Sequence, residues 1–175
     1  VGESTIAWMA QRGARIPRHD TAQHVAMVVR GQEDGAPAAV VEAADSGVHS
    51  LDLDAFFGGY REGTLFFHGV VLGATPEQRQ RAVDFALKQV GTPYASDFAP
   101  PGEEPRGWYC SSLVDYAYRC ALGEERVFAK EPFPLQFEPR AFWEDYYRAL
   151  RKPLPSHVGS NPTLLLHSSR VDYAR

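Results

Sequence analysis

The first ordered pattern in the chain is a pair of β-like segments separated by turn-forming residues. Residues 23–31, QHVAMVVRG, are rich in β-branched side chains, and an extended pattern resumes with AAVVEAA after residues 31–37. This arrangement predicts a β-hairpin. With a turn centred near Asp34, facing positions have numbers that sum to about 68, which places His24 and Glu42 on one face about 7–8 Å apart.

A longer apolar segment follows at residues 64–73, TLFFHGVVLG, and it carries apolar side chains on both faces. Strands that are covered on both sides have this composition, so the segment is predicted to be a central strand. His68 would then be a core histidine whose ring is satisfied by hydrogen bonds. His49, His157 and His167 are expected to lie in loops or in the tail.

The next segment carries the start and stop signals of a helix. Thr75 is the predicted N-cap, Pro76 suits the first turn, and Gln78 completes a capping box. Gly91 is predicted to end this helix. Its buried stripe is predicted to consist of Val83, Ala86, Leu87 and Val90.

Two more helices are predicted, each after a loop. The loop at 99–107 leads to a helix at about 110–122 that closes at Gly123, and the loop at 131–139 leads to a helix at 140–150. The predicted inward faces contain Leu113, Val114, Ala117, Cys120 and Ala121 in the first helix, and Phe142, Trp143 and Tyr146 in the second. Strands and helices without an internal repeat predict a single α+β domain over residues 1–175.

Composition narrows the function classes. The chain has 175 residues, of which 44% are hydrophobic, so it can bury the core of one domain. Its net charge of -4 and its pI of about 5.9 argue against nucleic acid as a partner. No run approaches the roughly 18 apolar residues of a membrane helix, and VGESTIAWMAQRG lacks the features of a signal peptide. We therefore expect a soluble protein, either cytosolic or already processed.

The two cysteines are expected to be free thiols. Cys110 and Cys120 lie on one predicted helix, where the rise separates them by roughly 15 Å, beyond the reach of a disulfide. The cysteines and histidines also lack the close paired spacings of a zinc site, and no phosphate-binding loop or Gly-x-Ser-x-Gly motif is present. No metal or other cofactor is therefore expected. Cys120 is interpreted as a small buried hydrophobe.

Cys110 differs from Cys120 because it opens its predicted helix. Unpaired backbone amides and the positive end of the helix dipole favour an anion at this position. A thiol paired with an imidazolium there is largely ionised, and the same amides can donate to an oxyanion. Position alone fits a catalytic nucleophile and a cysteine that packs under the loop equally well.

A catalytic cysteine needs a base, and the chain has 6 histidines that compete for this role. His24 is the best candidate, because an acidic residue, Glu42, is expected on the adjacent strand, where it can orient the ring. The alternative is a structural strand histidine beside an ordinary surface carboxylate. The remaining histidines are His19, His49, His68, His157 and His167.

Four segments in order carry a resemblance to a known family: QHVAMVV, VVEAADSGVHSLDLDAFF, a helix that ends in VGTPY, and WYCSSLVDYAY. The order His, Glu, Cys resembles the circularly permuted branch of the NlpC-type papain-like superfamily, the YiiX/YebB-like group. Its histidine opens a strand, its acidic residue ends the next strand, and its cysteine follows a Gly-x-Pro-Tyr segment. The matching residues here are His24, Glu42, Gly91–Tyr94 and Cys110.

The resemblance continues into the tail, NPTLLLHSSRVDY, and has two departures. The family's opening Gly-Asp strand is absent, which predicts that one side of the sheet is short. Gln23 stands where serine commonly precedes the histidine, which predicts a different hydrogen bond at the ring edge.

The resemblance implies a fold and an activity. The expected fold is permuted papain-like α+β, with an antiparallel sheet packed against helices and the nucleophile at a helix N-terminus. The expected activity is cleavage of an amide or ester bond through a Cys110-His24-Glu42 triad and an acyl-enzyme, without metal. The expected substrate-binding residues are Tyr94, Tyr109 and Ser111.

The resemblance leaves the substrate open between bacterial cell-wall peptides and acylated or lipid substrates. Alternatives are a lipid acyltransferase or acyl hydrolase, a non-catalytic module that binds peptides or acyl groups, and a secreted toxin with an immunity protein. Expected partners are the substrate, a membrane or cell-wall surface, and an inhibitor or immunity protein. We expect a monomer, and the bacterial envelope, periplasm or exterior is favoured over the cytoplasm.

Overall fold

The protein is described by a computed structural model that covers residues 22–29, 38–99, 106–131, 133–135, 137 and 139–174. Its elements are β1 (Met27–Val29), β2 (Ala39–Ala44), β3 (Gly47–Asp52), α1 (Leu53–Gly58), β4 (His68–Val71), α2 (Pro76–Leu87), α3 (Cys110–Leu122), β5 (Phe133–Pro134), α4 (Arg140–Ala149), β6 (Val158–Gly159), α5 (Pro162–Leu166) and β7 (Val171–Ala174). Antiparallel sheets packed with helices confirm the predicted α+β class. Within the covered ranges, no helix combines the length and the apolar character that a membrane span requires.

The predicted hairpin forms the first part of the main sheet, whose strand order is β1-β2-β3. Met27 faces Val41 and Val28 faces Val40 in an antiparallel pair. These pairs confirm both the hairpin and its predicted register. The predicted turn near Asp34 lies outside the described residues.

The third strand of this sheet is β3, for which we predicted no strand. Gly47 opens β3 with a φ of +102°, and a Cβ at this position would lie 2.6 Å from the carbonyl oxygen of Thr92. Glycine is therefore required at this turn by both its backbone angle and the neighbouring chain. The turn brings β3 back along β2 and places His49 directly opposite Glu42.

The segment at 64–73 is not a central strand. Only β4 is extended, and it pairs with β7 in a separate sheet of 2 strands, where His68 is exposed rather than in the core. Phe66, which precedes β4, packs at the surface against aromatic residues of α1 and of the turn after it. The ring of Phe66 lies 4.7 to 6.2 Å from the rings of Phe56, Phe57 and Tyr60, and we call these residues the aromatic cluster. An apolar run by itself does not distinguish such a cluster from a buried strand.

Helix α2 starts as predicted and ends sooner. Gln78 N–H donates to Thr75 Oγ1 at 3.2 Å, and Thr75 N–H donates to Gln78 Oε1 at 2.8 Å, which confirms the capping box. The helix ends at Leu87, and Val90 is 48% exposed. The predicted burial of Val90 is wrong because the helical spacing stops before this residue.

Helix α3 has the predicted bounds and ends at Gly123, whose φ is +70°. Most of its predicted inward face is buried, namely Leu113, Val114, Ala117 and Ala121. Cys120 is exposed, so the prediction that it is a buried hydrophobe is wrong. It lies at the edge of the apolar stripe, where the neighbouring elements decide whether a side chain is covered. Both cysteines are free thiols, as expected.

Helix α4 supports the start of α3 through a second apolar cluster. Its Trp143 and Tyr147 are buried, whereas Phe142 is 43% exposed, contrary to its predicted burial. Part of the predicted loop at 131–139 forms β5, which pairs with β6. The buried members of this cluster are Phe98, Tyr109, Leu135, Phe137, Trp143 and Tyr147.

Candidate active site

Cys110 is the first residue of α3, and the chain just before it determines where it lies. Trp108 N–H donates to the oxygen of Pro93, and Ala95 N–H donates to the oxygen of Trp108, both at 3.0 Å. Trp108 is fully buried, so this segment cannot shift without disturbing the core. First-turn amides have no partner inside their own helix, and the helix dipole favours negative charge beside them. The position therefore suits a thiolate and an adjacent oxyanion.

His24 lies in extended chain that leads into β1. The strand begins only at Met27, so the prediction that His24 stands on the strand is wrong. Ala22 is held by Thr163 of α5, which accepts from Ala22 N–H and donates to Ala22 O, both at 3.0 Å. Val25 packs against the main core. Anchors on both sides therefore fix the His24 ring, whose side chain is 25% exposed.

Glu42 contacts this ring from β2. Its Oε2 lies 2.5 Å from Nε2 of His24, so the predicted contact across the hairpin is present. An ionised carboxylate only accepts hydrogen bonds, and Nε2 is therefore the donor. Burial favours the neutral acid, but the hydrogen bond and charge of His24, followed by the charge and hydrogen bond of His49, hold the pKa of Glu42 below its usual value.

The second partner of the His24 ring is Cys110. Burial opposes the charge on the ring, but a side-chain hydrogen bond with Cys110, a second with Glu42 and the charges of both raise the pKa of His24 to about 10. Nε2 is bonded to Glu42, which leaves Nδ1 as the ring nitrogen available to Cys110. The fold thus brings Cys110, His24 and Glu42 together, although the thiol and the ring lie 86 positions apart in sequence.

The charge of Cys110 acts on Tyr94 and Tyr60. Burial and then the charge of Cys110 raise the pKa of Tyr94, which stands in the Gly-x-Pro-Tyr segment. Burial, followed by the charges of Glu42 and Cys110, raises the pKa of Tyr60 to about 12. Tyr94 was predicted as a site residue, whereas Tyr60 was not. The position of Tyr60 depends on the turn after α1, and nothing in the sequence pattern connects that turn with Glu42 or Cys110.

Tyr109 and Ser111 are placed differently from Tyr94. They are 1% and 0% exposed, and both bond to Ser160 of the β6–α5 connection. Ser160 N–H donates to the Tyr109 hydroxyl at 2.9 Å, and Ser160 Oγ donates to Ser111 Oγ at 3.0 Å. These contacts are with the fold and hold the first turn of α3 in place. Substrate binding by these two residues stays a prediction.

The loop position predicted for His49 is wrong, because this residue lies on β3 with its Nε2 3.1 Å from Glu42 Oε1. The signal that could have identified its strand is the short segment GVHSLD, which has a β-branched residue at its start and follows the turn residues Asp45 and Ser46. His19 lies outside the described residues.

Comparison with known proteins gives one family and one solved structure. Residues 11–150 match the model of a family described as permuted papain-like amidase enzyme, YaeF/YiiX, C92 family. The fold is similar to the crystal structure of the metalloprotein yiiX from Escherichia coli O157:H7, with a TM-score of 0.67, 23% identity, and coverage of 87% of this chain and 81% of that chain. No curated protein matches the sequence.

Proposed function

This chain belongs to the permuted papain-like amidase family of the YaeF/YiiX type and is therefore a cysteine hydrolase, and we propose that it works as a single domain with a Cys110-His24-Glu42 triad. The observation that carries the proposal is the His24 ring, which is bonded to Glu42 on one side and to Cys110 on the other. The family implies a peptide or amide substrate.

The proposed reaction has two halves. The Cys110 thiolate attacks the carbonyl carbon, His24 gives its proton to the leaving nitrogen, and the carbon–nitrogen bond breaks to leave a thioester. A water molecule then loses a proton to His24 and attacks the thioester, the carbon–sulfur bond breaks, and the carboxylic acid leaves. The Cys110 thiolate and the protonated His24 ring that remain are the pair with which the reaction began.

Backbone amides at the start of α3 would stabilise the oxyanion of each tetrahedral intermediate. They are held in place by a fully packed first turn, so they need no rearrangement when negative charge develops. Glu42 accepts from Nε2–H of the charged His24 ring, which leaves the Nδ1 hydrogen for the side of the sulfur and the leaving nitrogen. Glu42 thereby holds the ring in the orientation that the first proton transfer requires.

Metal chemistry is not part of this proposal. The solved structural relative is titled a metalloprotein. Among the residues that the structure of this chain describes, however, no group of three or more His, Cys, Asp or Glu side chains could hold a metal ion. The proposed steps therefore use Cys110, His24 and Glu42 and involve no metal.

The proposal predicts an unusual alkaline limit. His24 acts as the acid only while it is protonated, and its pKa of about 10 keeps the ring charged well above neutral pH. We expect kcat/KM to persist into the alkaline range and to fall as the pH rises through about 10. Glu42→Gln removes the negative charge that helps to raise this pKa and leaves a neutral acceptor at best, so the alkaline limb should move to lower pH.

The measurement is the pH profile of kcat/KM for both proteins on a chromogenic amide, an N-acyl p-nitroanilide. Asp52→Asn is the matched control, because Asp52 is an exposed carboxylate at the end of β3. The alkaline limb of the Asp52→Asn pH profile should coincide with that of the wild type. An unchanged limb in Glu42→Gln would show that Glu42 does not act on His24 during turnover.

The aromatic cluster supports a second candidate function, hydrolysis of acylated amides. Phe57, Tyr60 and Phe66 are 43%, 36% and 36% exposed, and Leu65 beside them is 66% exposed. Exposed contiguous apolar surface of this kind is typical of binding sites. Tyr60 connects the cluster to the site, because the charges of Glu42 and Cys110 act on its hydroxyl. In this second function the acyl chain lies on the cluster and its carbonyl reaches Cys110.

This second function predicts a chain-length dependence. Each methylene added to an N-acyl amide should lower KM by up to about fourfold, because the added group leaves water for the cluster. Phe57→Ser should flatten the dependence, whereas Phe142→Ser, on an equally exposed phenylalanine of α4, should not. A KM that is independent of chain length, together with rapid cleavage of a cell-wall peptide, would favour the peptide substrate.

A further inference from the structure

A second imidazole besides His24 contacts Glu42. His49 lies directly opposite Glu42 in the antiparallel register of β2 and β3. Its Nε2 is 3.1 Å from Oε1 of Glu42, whereas His24 Nε2 is 2.5 Å from Oε2. The two rings therefore bond to different oxygens of one carboxylate. The Glu42 side chain is 9% exposed and that of His49 is 35% exposed, so His49 covers the carboxylate on its open side.

The hydrogen positions on His49 follow from its partners. Nε2 faces an ionised carboxylate, which only accepts, and so Nε2 carries a hydrogen. Nδ1 lies 3.1 Å from the oxygen of Gly47 and 3.3 Å from Oγ of Ser46. A neutral ring accepts from the Ser46 hydroxyl at Nδ1, and a protonated ring donates to the Gly47 oxygen. In both states the Nε2 hydrogen points at Glu42.

We propose that His49 is a positioning residue: its hydrogen bond to Oε1 of Glu42 directs Oε2 at His24. A carboxylate held at one oxygen can still turn about its last side-chain bond. A second donor on the other oxygen removes this freedom and keeps the 2.5 Å contact with His24 in place. The inference rests on the proposed triad and extends it by one residue.

Among the described residues, few groups act electrostatically on Glu42, His24 and Tyr60. His24 and His49 act on Glu42, Cys110 and Glu42 act on His24, and Glu42 and Cys110 act on Tyr60. Loss of His49 therefore reaches the thiol only through Glu42 and His24. A weaker Glu42 contact would let His24 lose its proton at lower pH.

The test compares His49→Ala with His49→Gln, using hydrolysis of the N-acyl p-nitroanilide as the activity. The Ala variant should lower kcat roughly 10-fold to 100-fold with little change in KM, since a bond to a charged group is lost. Its alkaline limb should also move to lower pH. The Gln variant should recover most of kcat, because its amide N–H₂ can occupy the place of Nε2–H.

Ser50→Ala controls for the hairpin itself. Ser50 adjoins His49 on β3, and its hydroxyl bonds to the oxygen of Val40 rather than to Glu42. This variant should keep wild-type kcat and pH profile even if the hairpin loosens. Thermal unfolding of every variant should accompany the kinetics.

Each remaining outcome decides the question. Wild-type kcat and pH profile in His49→Ala would overturn the proposal, and so would a Gln variant as slow as the Ala variant. If His49→Ala fails to fold, His49→Asn, which is too short to reach Oε1, takes its place and should be equally slow. Failure of both to fold would assign His49 to the hairpin instead. Equal rates for wild type and Cys110→Ala would reject the triad itself, a different failure from an active His49→Ala.

Discussion

Replacement of Cys110 by alanine is expected to lower kcat/KM for amide hydrolysis by at least about 10⁴-fold. The reason is that the sulfur forms the covalent bond of the acyl-enzyme, and no other side chain of the described site can replace it as a nucleophile. Ser111 and Ser112 follow in the same helix, but both are buried and bonded to neighbouring groups of the fold. The rate is measured with an N-acyl p-nitroanilide at saturating and limiting concentration.

Cys120→Ala is the matched control for this experiment. Cys120 lies on the same helix, and its thiol is exposed and away from His24. We expect wild-type activity and nearly wild-type stability, because its exposed side chain buries little apolar surface. Appreciable turnover by Cys110→Ala, or loss of turnover in Cys120→Ala, would show that Cys110 is not the nucleophile. The proposed triad would then be rejected.

Replacement of His24 by alanine is expected to lower kcat by about 10²-fold to 10⁴-fold, which is the usual contribution of a general acid and base. It should also change the chemistry of the thiol in the absence of substrate. In the wild type at neutral pH, iodoacetamide should alkylate Cys110 faster than Cys120, even though Cys110 is only 7% exposed. The charged His24 ring that bonds Cys110 promotes the reactivity of its sulfur, whereas partial burial raises the pKa of the Cys120 thiol.

In His24→Ala the order of alkylation should reverse, because Cys110 keeps its burial and loses its partner. Mass spectrometry of the two cysteine peptides measures both rates in one sample, so Cys120 serves as the internal reference. His68→Ala is the control, since His68 is exposed on β4 and belongs to the separate sheet. An unchanged preference for Cys110 in His24→Ala would mean that the ring does not activate the sulfur.

Cys110, His24 and Glu42 could be predicted as candidates from the sequence because each residue lies next to a local signal. Cys110 follows a proline-rich loop and opens a helix whose end is marked by Gly123. His24 and Glu42 lie on either side of a hairpin whose register follows from its turn. Residue types and spacing therefore predicted both the candidates and the pair that meets across the hairpin.

The sequence analysis did not predict the contact between His49 and Glu42, because the sequence signals around β3 are weak. The turn before β3 has only two residues between the strands, Asp45 and Ser46, and the strand itself is short, with two adjacent polar residues, His49 and Ser50, that interrupt an alternating pattern. Its signal is therefore weaker than that of the apolar run at 64–73, where the third strand was predicted instead. That run lies mostly at the surface, where its Phe66 packs on the aromatic residues of α1 and its Phe67 packs on Tyr173 of β7.

Local signals along the chain determined the helix starts and the hairpin register, because caps, turns and periodicity act over a few residues. The choice of Cys110 as nucleophile rested in addition on the family resemblance. Only the tertiary structure decided that Cys110 faces His24, that β3 places His49 on Glu42, and that Tyr60 borders the site. These contacts join residues far apart in sequence, and they form only when the main sheet, α3 and α5 share one core. Side-chain burial opposes the charges of His24 and Glu42, and the hydrogen bonds between distant segments outweigh it, so these charges are likewise a property of the shared core and of no single segment.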